Sequence, residues 1–229
     1  SVVAKPLTPY TNIEDVPGTR QSVSLYKEDG EKIDRTLNYS FYGVLRSTTT
    51  YKYRDDDTLE LTRTYKGDHT ASVIDPKTAA LPGQKLSESF YETDGERINH
   101  TLNYSFDGSK IKTRTEFEYR KTDDTLDKST VYRGVNPQTG EITWKIKDPN
   151  DASKEIDYKG GVVRSVTEYD ESGELALITL NKSFDGSRTK STTLFSYRRA
   201  DDTLKESITF RSVVAKPLTP YTNIEDVPG

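Results

Sequence analysis

The chain has 229 residues, with 33 basic and 37 acidic side chains and a net charge of -4, so it carries no basic footprint for nucleic acid. Cys and Met are both absent, which excludes disulfides, thiolate nucleophiles and thiolate metal sites. Leu, Ile, Val and Phe supply only 48 of the 229 residues, just above the level at which chains fail to fold, so a thin core and half-buried sheets are expected.

Residues 1–19 form a Pro-rich junction containing Pro6, Pro9 and Pro17. Its first 18 residues, SVVAKPLTPYTNIEDVPG, return unchanged as 212–229, which sets a period of 211 residues. An identity of that length does not arise by chance, and it reads as one full period followed by the start of the next. The chain starts at Ser rather than Met, which fits a processed or excised piece. It shows no charged-then-apolar leader and no long apolar run, so neither a secretion signal nor a membrane span is expected.

Module 1, residues 20–67, introduces a pattern that recurs twice. YKEDGEKIDRTLNYSFYG from Tyr26 matches YETDGERINHTLNYSFDG from Tyr91 and YDESGELALITLNKSFDG from Tyr169. A second shared stretch follows in each, TTTYKYRDDDTLELTRTY, TEFEYRKTDDTLDKSTVY and TLFSYRRADDTLKESITF. Within module 1, Leu37, Tyr39 and Phe41 alternate with Asn38 and Ser40, and Leu45, Thr49, Tyr51 and Tyr53 with Arg46, Lys52 and Arg54. That period of two predicts strands with one wet face. Asp29-Gly30 and the Asp55-Asp56-Asp57-Thr58 step supply the turns.

The linker 68–83, with Pro76 and Pro82, separates module 1 from module 2, residues 84–133. Here Ile111, Thr113, Thr115, Phe117 and Tyr119 are expected on a core face, and Lys112, Arg114, Glu116 and Glu118 in water. The long connection 134–160 carries Pro137, Pro149 and the one tryptophan, Trp144, and is read as an extra hairpin or arm. Module 3, residues 161–211, precedes the second copy of the junction at 212–229. The expected fold is therefore all-β: tandem four-stranded antiparallel modules stacked as a solenoid-like or superhelical array.

Several residues are candidate sites. Asn38, Asn103 and Asn181 begin Asn-x-Ser triplets at one position of all three modules, and Asn99 begins Asn-His-Thr. All four are N-glycosylation acceptors in pattern, with a polar ladder as the competing role. The turns Asp55–Asp57, Asp123-Asp124 and Asp201-Asp202 offer oxygens to calcium, but the Asp-x-Asp-x-Asp-Gly loop is missing and Asx turns are the expected use. Only His69 and His100 are present and neither recurs between modules, so no catalytic triad, zinc site or cofactor is expected. Trp144 is a candidate contact between modules or with a glycan, while Tyr39, Tyr53, Tyr104, Tyr119 and Tyr197 are expected in the core.

The first hairpin of each module resembles the YD-repeat proteins. Tyr169-Asp170 followed by Gly173 carries the motif, whereas Tyr26 and Tyr91 are followed by Lys27 and Glu92 instead of Asp. The resemblance implies extended β architecture at bacterial surfaces, either as closed shells around toxins or as long fibres. The expected role is that of a structural repeat in an extracellular fibre, filament or giant surface protein, without enzymatic activity, whose partners are copies of itself. An adhesin or carbohydrate-binding module, and a discrete β-propeller or shell, are the alternatives.

Overall fold

The computed structural model describes residues 21–67, 84–211, 213–217, 219–222 and 224. The junction 1–19, the linker 68–83 with His69, and the rest of 212–229 lie outside the described residues.

Among the described residues fourteen strands follow one another: β1 (Ser22–Tyr26), β2 (Ile33–Tyr39), β3 (Leu45–Tyr53) and β4 (Leu59–Lys66) form module 1. Module 2 holds β5 (Lys85–Tyr91), β6 (Ile98–Tyr104), β7 (Ile111–Tyr119) and β8 (Leu126–Arg133). Then come β9 (Thr143–Asp148) and β10 (Asp151–Lys159), and module 3 with β11 (Val162–Tyr169), β12 (Ala176–Lys182), β13 (Thr189–Tyr197) and β14 (Leu204–Phe210). The fold is all-β and antiparallel.

Twelve strands make one sheet in strict chain order from β1 to β14, omitting only β9 and β10, which pair with each other. The modules therefore join edge to edge through backbone hydrogen bonds, β4 to β5 and β8 to β11. A four-stranded module with so few aliphatic residues gains its neighbours' ladder bonds in this way, a different route from the face-to-face stacking that a thin core suggests. Among the described residues the sheet is open, with β1 and β14 at its two edges.

Register assigns the two faces. Residues directly opposite in an antiparallel pair share a face, and Ser24, Thr36 and Thr49 stand in one such row with Thr64. Ser24 bonds Thr36 at 3.0 Å, Thr49 bonds Thr64 at 3.1 Å, and Ser89–Thr101 and Thr167–Thr179 repeat the contact at 2.9 and 2.8 Å. This is a hydroxyl face.

The opposite face carries Leu102 across from Arg114, and Ile178 across from Leu194. Arg114 and Glu116, expected in water, are thus on the same face as Leu102, with side chains only 20% and 34% exposed. The sequence reading differed here because a β-bulge between Asn103 and Tyr104 sets Ile111 opposite Tyr104. One extra residue at that point turns Ile111 onto the Leu102 face while Thr113 remains on the other. Phe41 also departs from its expected strand face: β2 ends at Tyr39, and Phe41 stands in the turn, 86% exposed.

Connecting segments cover this second face as straps. Val135 is buried against Leu102 and Ile111, with Ile142 packed beside them, and the backbone NH of Ile111 donates to the Pro137 carbonyl at 2.8 Å. Over module 3, Val214 and Ile224 close on Ile178 and Leu194, of which Leu194 is 0% exposed. Prolines suit such straps, because a carbonyl without an NH can accept from a strand without starting another ladder.

Candidate functional site

The side-chain chemistry of this protein is concentrated in two rows of turns at the ends of the strands, and it repeats from module to module. In the first row each module ends β3, β7 or β13 on a tyrosine that reaches back to the preceding hairpin. The Tyr53 hydroxyl accepts from the NH of Ile33 at 3.1 Å and donates to its carbonyl at 3.2 Å; Tyr119 does the same with Ile98 at 3.0 and 3.1 Å. Tyr53, Tyr119 and Tyr197 all have pKa values raised above the ordinary phenol, first because of burial. They act as plugs for the hairpins.

The next residue in each module is an arginine that staples its own turn. Nη1 of Arg54 donates to Thr58 Oγ1 and the Leu59 carbonyl at 3.1 and 2.8 Å, and Nη1 of Arg120 to Thr125 Oγ1 and the Leu126 carbonyl at 2.9 and 3.1 Å. Nη1 of Arg198 does likewise with Thr203 Oγ1 and the Leu204 carbonyl at 3.3 and 3.0 Å. Nη2 of the first two reaches into the following module, Arg54 to the Tyr91 carbonyl at 2.7 Å and Arg120 to the Tyr169 carbonyl at 3.2 Å.

The acidic turns are built as Asx turns. Asp56, Asp123 and Asp201 each accept from the NH and the hydroxyl of the Thr two residues on, at 3.0 and 2.6 Å, 3.1 and 2.7 Å, and 3.1 and 2.7 Å. These contacts hold all three carboxyls below the usual range, the threonine hydroxyl being the larger cause. Asp57, Asp124 and Asp202 follow at positive φ of 70, 59 and 53°, a conformation that Asp tolerates better than most residues. Each receives a partner, Lys32, Arg97 and, in module 3, the hydroxyl of Tyr221. Tyr221 comes from the strap and also lies under Arg199, 5.0 Å from ring centroid to guanidinium. Among the described residues no group of three or more His, Asp or Glu is placed to hold a metal ion.

In the second row the Ser-Phe-x-Gly turns present Phe41, Phe106 and Phe184, which are 86%, 81% and 88% exposed. Cations from the preceding module cover two of them: Lys66 over Phe106 at 4.6 Å and Arg133 over Phe184 at 4.9 Å. Such contacts at exposed sites contribute about 0.5–1 kcal/mol each. The alternation in the sequence put Phe41 on a strand face, so the exposure of these rings was not visible there, nor were the cationic covers, which come from another module.

Asn38 and Asn103 are half-buried on the hydroxyl face, with Nδ2 facing Ser47 Oγ at 3.4 Å and Thr113 Oγ1 at 3.3 Å. Asn181 is half-buried in the same setting, opposite Ser165 and Ser191. Asn99 is exposed, its amide between Glu92 Oε1 and His100 Nδ1, 2.6 Å from each. Trp144 is half-buried within the β9–β10 hairpin, edge-on to Tyr158 at 4.9 Å and seated against Gly160. A side chain at Gly160 would collide with that indole, since a Cβ there would lie 2.2 Å from it.

Two further groups, Glu88 and His100, occur in one module only. Glu88 is 7% exposed and receives Arg63 at 2.6 Å, Lys85 at 3.1 Å and the Tyr104 hydroxyl. Burial pushes its carboxyl up, and the Tyr104, Arg63 and Lys85 contacts outweigh it, leaving the pKa below the ordinary value.

His100 stacks on Phe90, rings 4.5 Å apart and 10° from parallel. Burial first, and then Arg114, lower its pKa to about 4, while Glu92 opposes them. The unfolded chain binds this proton more readily, so the stability His100 confers is full above about pH 6.5 and is lost as the pH falls towards about 4. Replacing His100 by Phe is expected to flatten that part of the stability curve by about 1–2 kcal/mol. Urea melts of both proteins between pH 7 and pH 4 check it, and identical slopes would refute it.

No protein-family model matches the sequence, and no curated protein matches it. Among solved structures the chain is similar to one titled TcdB2-TccC3-TEV, at 12% identity and a TM-score of 0.21, over 83% of this chain and 10% of that one. The chain thus spans about a tenth of that protein's length. A likeness at this level carries no argument about fold or chemistry. No helix of the described residues is long and apolar enough to cross a membrane.

Proposed function

We propose that this sequence is one period of a self-extending β array, the structural repeat of an extracellular fibre, filament or giant surface protein. The observation that carries the reading is the continuity of the sheet: three related modules already join edge to edge in chain order. The 18-residue identity at a spacing of 211 supports the same continuation beyond the third module. With that period, 22 residues would separate Phe210 from the next β1, between the 18 that separate β4 from β5 and the 28 that separate β8 from β11. The absence of Cys and Met suits long exposure to oxidants. Successive modules would progress by a repeated step, giving the solenoid-like or superhelical form of repeat proteins, and the role is mechanical.

Two measurements test this. Denaturing electrophoresis of native material should show a species far larger than the 25.9 kDa of this chain if the periods are covalently joined. If they are separate subunits, the purified chain should grow into linear assemblies on raising its concentration, seen by light scattering and electron microscopy. A chain that runs at the 25.9 kDa position in native material and stays monomeric at every concentration would sink the reading.

A further inference from the structure

Contacts that recur at both internal junctions have their two halves waiting at the outer edges of the sheet. We infer that the β14 edge takes the β1 edge of a second copy of this chain, antiparallel, with Ser207 opposite Ser24. This rests on the proposal of a self-extending array and specifies the interface.

The register comes from the junctions already made. Thr62 of β4 faces Ser89 of β5, and Ser129 of β8 faces Thr167 of β11. Ser207 of β14 holds the position of Thr62 and Ser129, and Ser24 that of Ser89 and Thr167. Setting Ser207 against Ser24 places Ile208 against Val23 and Thr209 against Ser22, a β-branched pair and a hydroxyl pair of the kind that stabilises cross-strand neighbours. Glu206, which lies 3.5 Å from Lys205, falls opposite Leu25.

Three further contacts are half-made. Arg54 and Arg120 each bond the carbonyl of the tyrosine ending the next module's first strand. Arg198 makes the same bonds to its own turn, but among the described residues its Nη2 has no such acceptor; the equivalent is the Tyr26 carbonyl. Lys66 and Arg133 cover the Phe of the next module's turn. Arg211 holds their position, and its equivalent ring, Phe41 in the β2–β3 turn of module 1, has no such cation among the described residues. The turn glycines Gly95 and Gly173 press on the preceding module, where an added Cβ would meet the NH of Leu59 at 2.7 Å and of Leu126 at 2.5 Å. The equivalent Gly30 has nothing described within 4 Å, and its counterpart is Leu204.

Among the described residues nothing pairs with the outer edge of β1. SVSLY carries no charge or proline, and its Leu25 and Tyr26 are 37% and 56% exposed, where natural edges place Lys or Pro against pairing. A contact between two different edges of one molecule does not close at two copies, so it propagates head to tail.

The test uses the absence of Cys. The full chain carrying Ser24→Cys and Ser207→Cys is oxidised at the concentration where scattering detects assembly, and run without reductant. Facing residues lie about 4.5–5.5 Å apart between Cα atoms, inside disulfide range, so a ladder of dimers, trimers and higher species is expected. Gly30→Asn, which keeps the left-handed turn, is expected to weaken association tenfold or more with unchanged melting of the isolated chain, and Arg198→Ala to weaken it likewise. Assembly without the disulfide ladder overturns the register and leaves the array reading standing. A disulfide formed within single chains overturns the second copy in favour of a sheet that closes on itself. Absence of assembly at any concentration, with no ladder and no effect of either substitution, overturns both and points to the chain's own residues 1–20 as the cover of β1.

Discussion

Replacing Leu194 by Ala is expected to lower the unfolding free energy of module 3 by about 3–5 kcal/mol, near the upper end for such truncations. Leu194 is 0% exposed, and among the described residues the cluster it anchors has three other buried members, Ile178, Val214 and Ile224. A thin core has few neighbours able to shift into the vacated space, so the cavity stays open. Two of those neighbours belong to the strap, which is also held by the Tyr197 NH bond to the Pro220 carbonyl at 2.8 Å, the Tyr221 hydroxyl bond to Asp202 at 2.6 Å, the Arg199 guanidinium 5.0 Å from the Tyr221 ring and the Lys216–Glu168 pair at 2.8 Å. The surface ion pair contributes little. Loss of Leu194 should therefore release the strap before it unzips the strands. Hydrogen exchange followed by mass spectrometry should show faster exchange in β12, β13 and 213–224, with β5–β8 unchanged. Ile224→Asp should produce the same pattern from the other side. A uniform rise in exchange along the whole sheet would contradict the strap's role.

Glu88→Gln has the second-largest expected effect, a loss of about 2–3 kcal/mol at neutral pH. The isosteric amide keeps the shape of the site but no longer carries the charge that Arg63 and Lys85 neutralise. Because Arg63 is 41% exposed, its guanidinium can turn to water, which places the loss below that of breaking a fully buried pair. The pH dependence has a definite sign. The folded-state pKa of Glu88 lies below its ordinary 4.5, so the stability it confers is present above about pH 4.5 and is lost as the pH falls through the folded value. Urea melts of the two proteins should differ at neutral pH and converge in acid, below the folded value. A constant difference would show that packing, not charge, sets the effect.

Strand identity and turn positions were legible in the sequence because period-two alternation and Asp-Gly or Asp-Asp-Thr steps have local causes. Thr113 alternating with Arg114, or Asp123 two residues before Thr125, states its geometry within a few residues. Facing was less legible. The bulges near the ends of paired strands, such as those at Asn103/Tyr104 and Glu118/Tyr119, insert a residue and change which side chains share a face. The straps were not legible either, since the stretch AKPLTPYTN between Val214 and Ile224 has no period. Asn38, Asn103 and Asn181 were correctly separated from the leucines of their strands, but their place among facing hydroxyls emerges only with the register. Glu88 had no signal, because Val23 and Val166 hold its position in the other modules.

The edge-to-edge joining of the modules also determines how the molecule responds to load. Hydrogen bonds between strands point along the direction in which strands are added, so tension applied along that direction falls on successive ladders in series. Strands spaced about 4.8 Å apart in the sheet each hold some ~25–30 Å of extended chain, and every strand that peels away lengthens the molecule several-fold more than the width it gives up. The straps across modules 2 and 3 resist that peeling locally, through Val135 and Pro137 in one and Val214, Pro220 and Ile224 in the other. A sheet joined in this way would yield in small steps under such a load and dissipate work at each one.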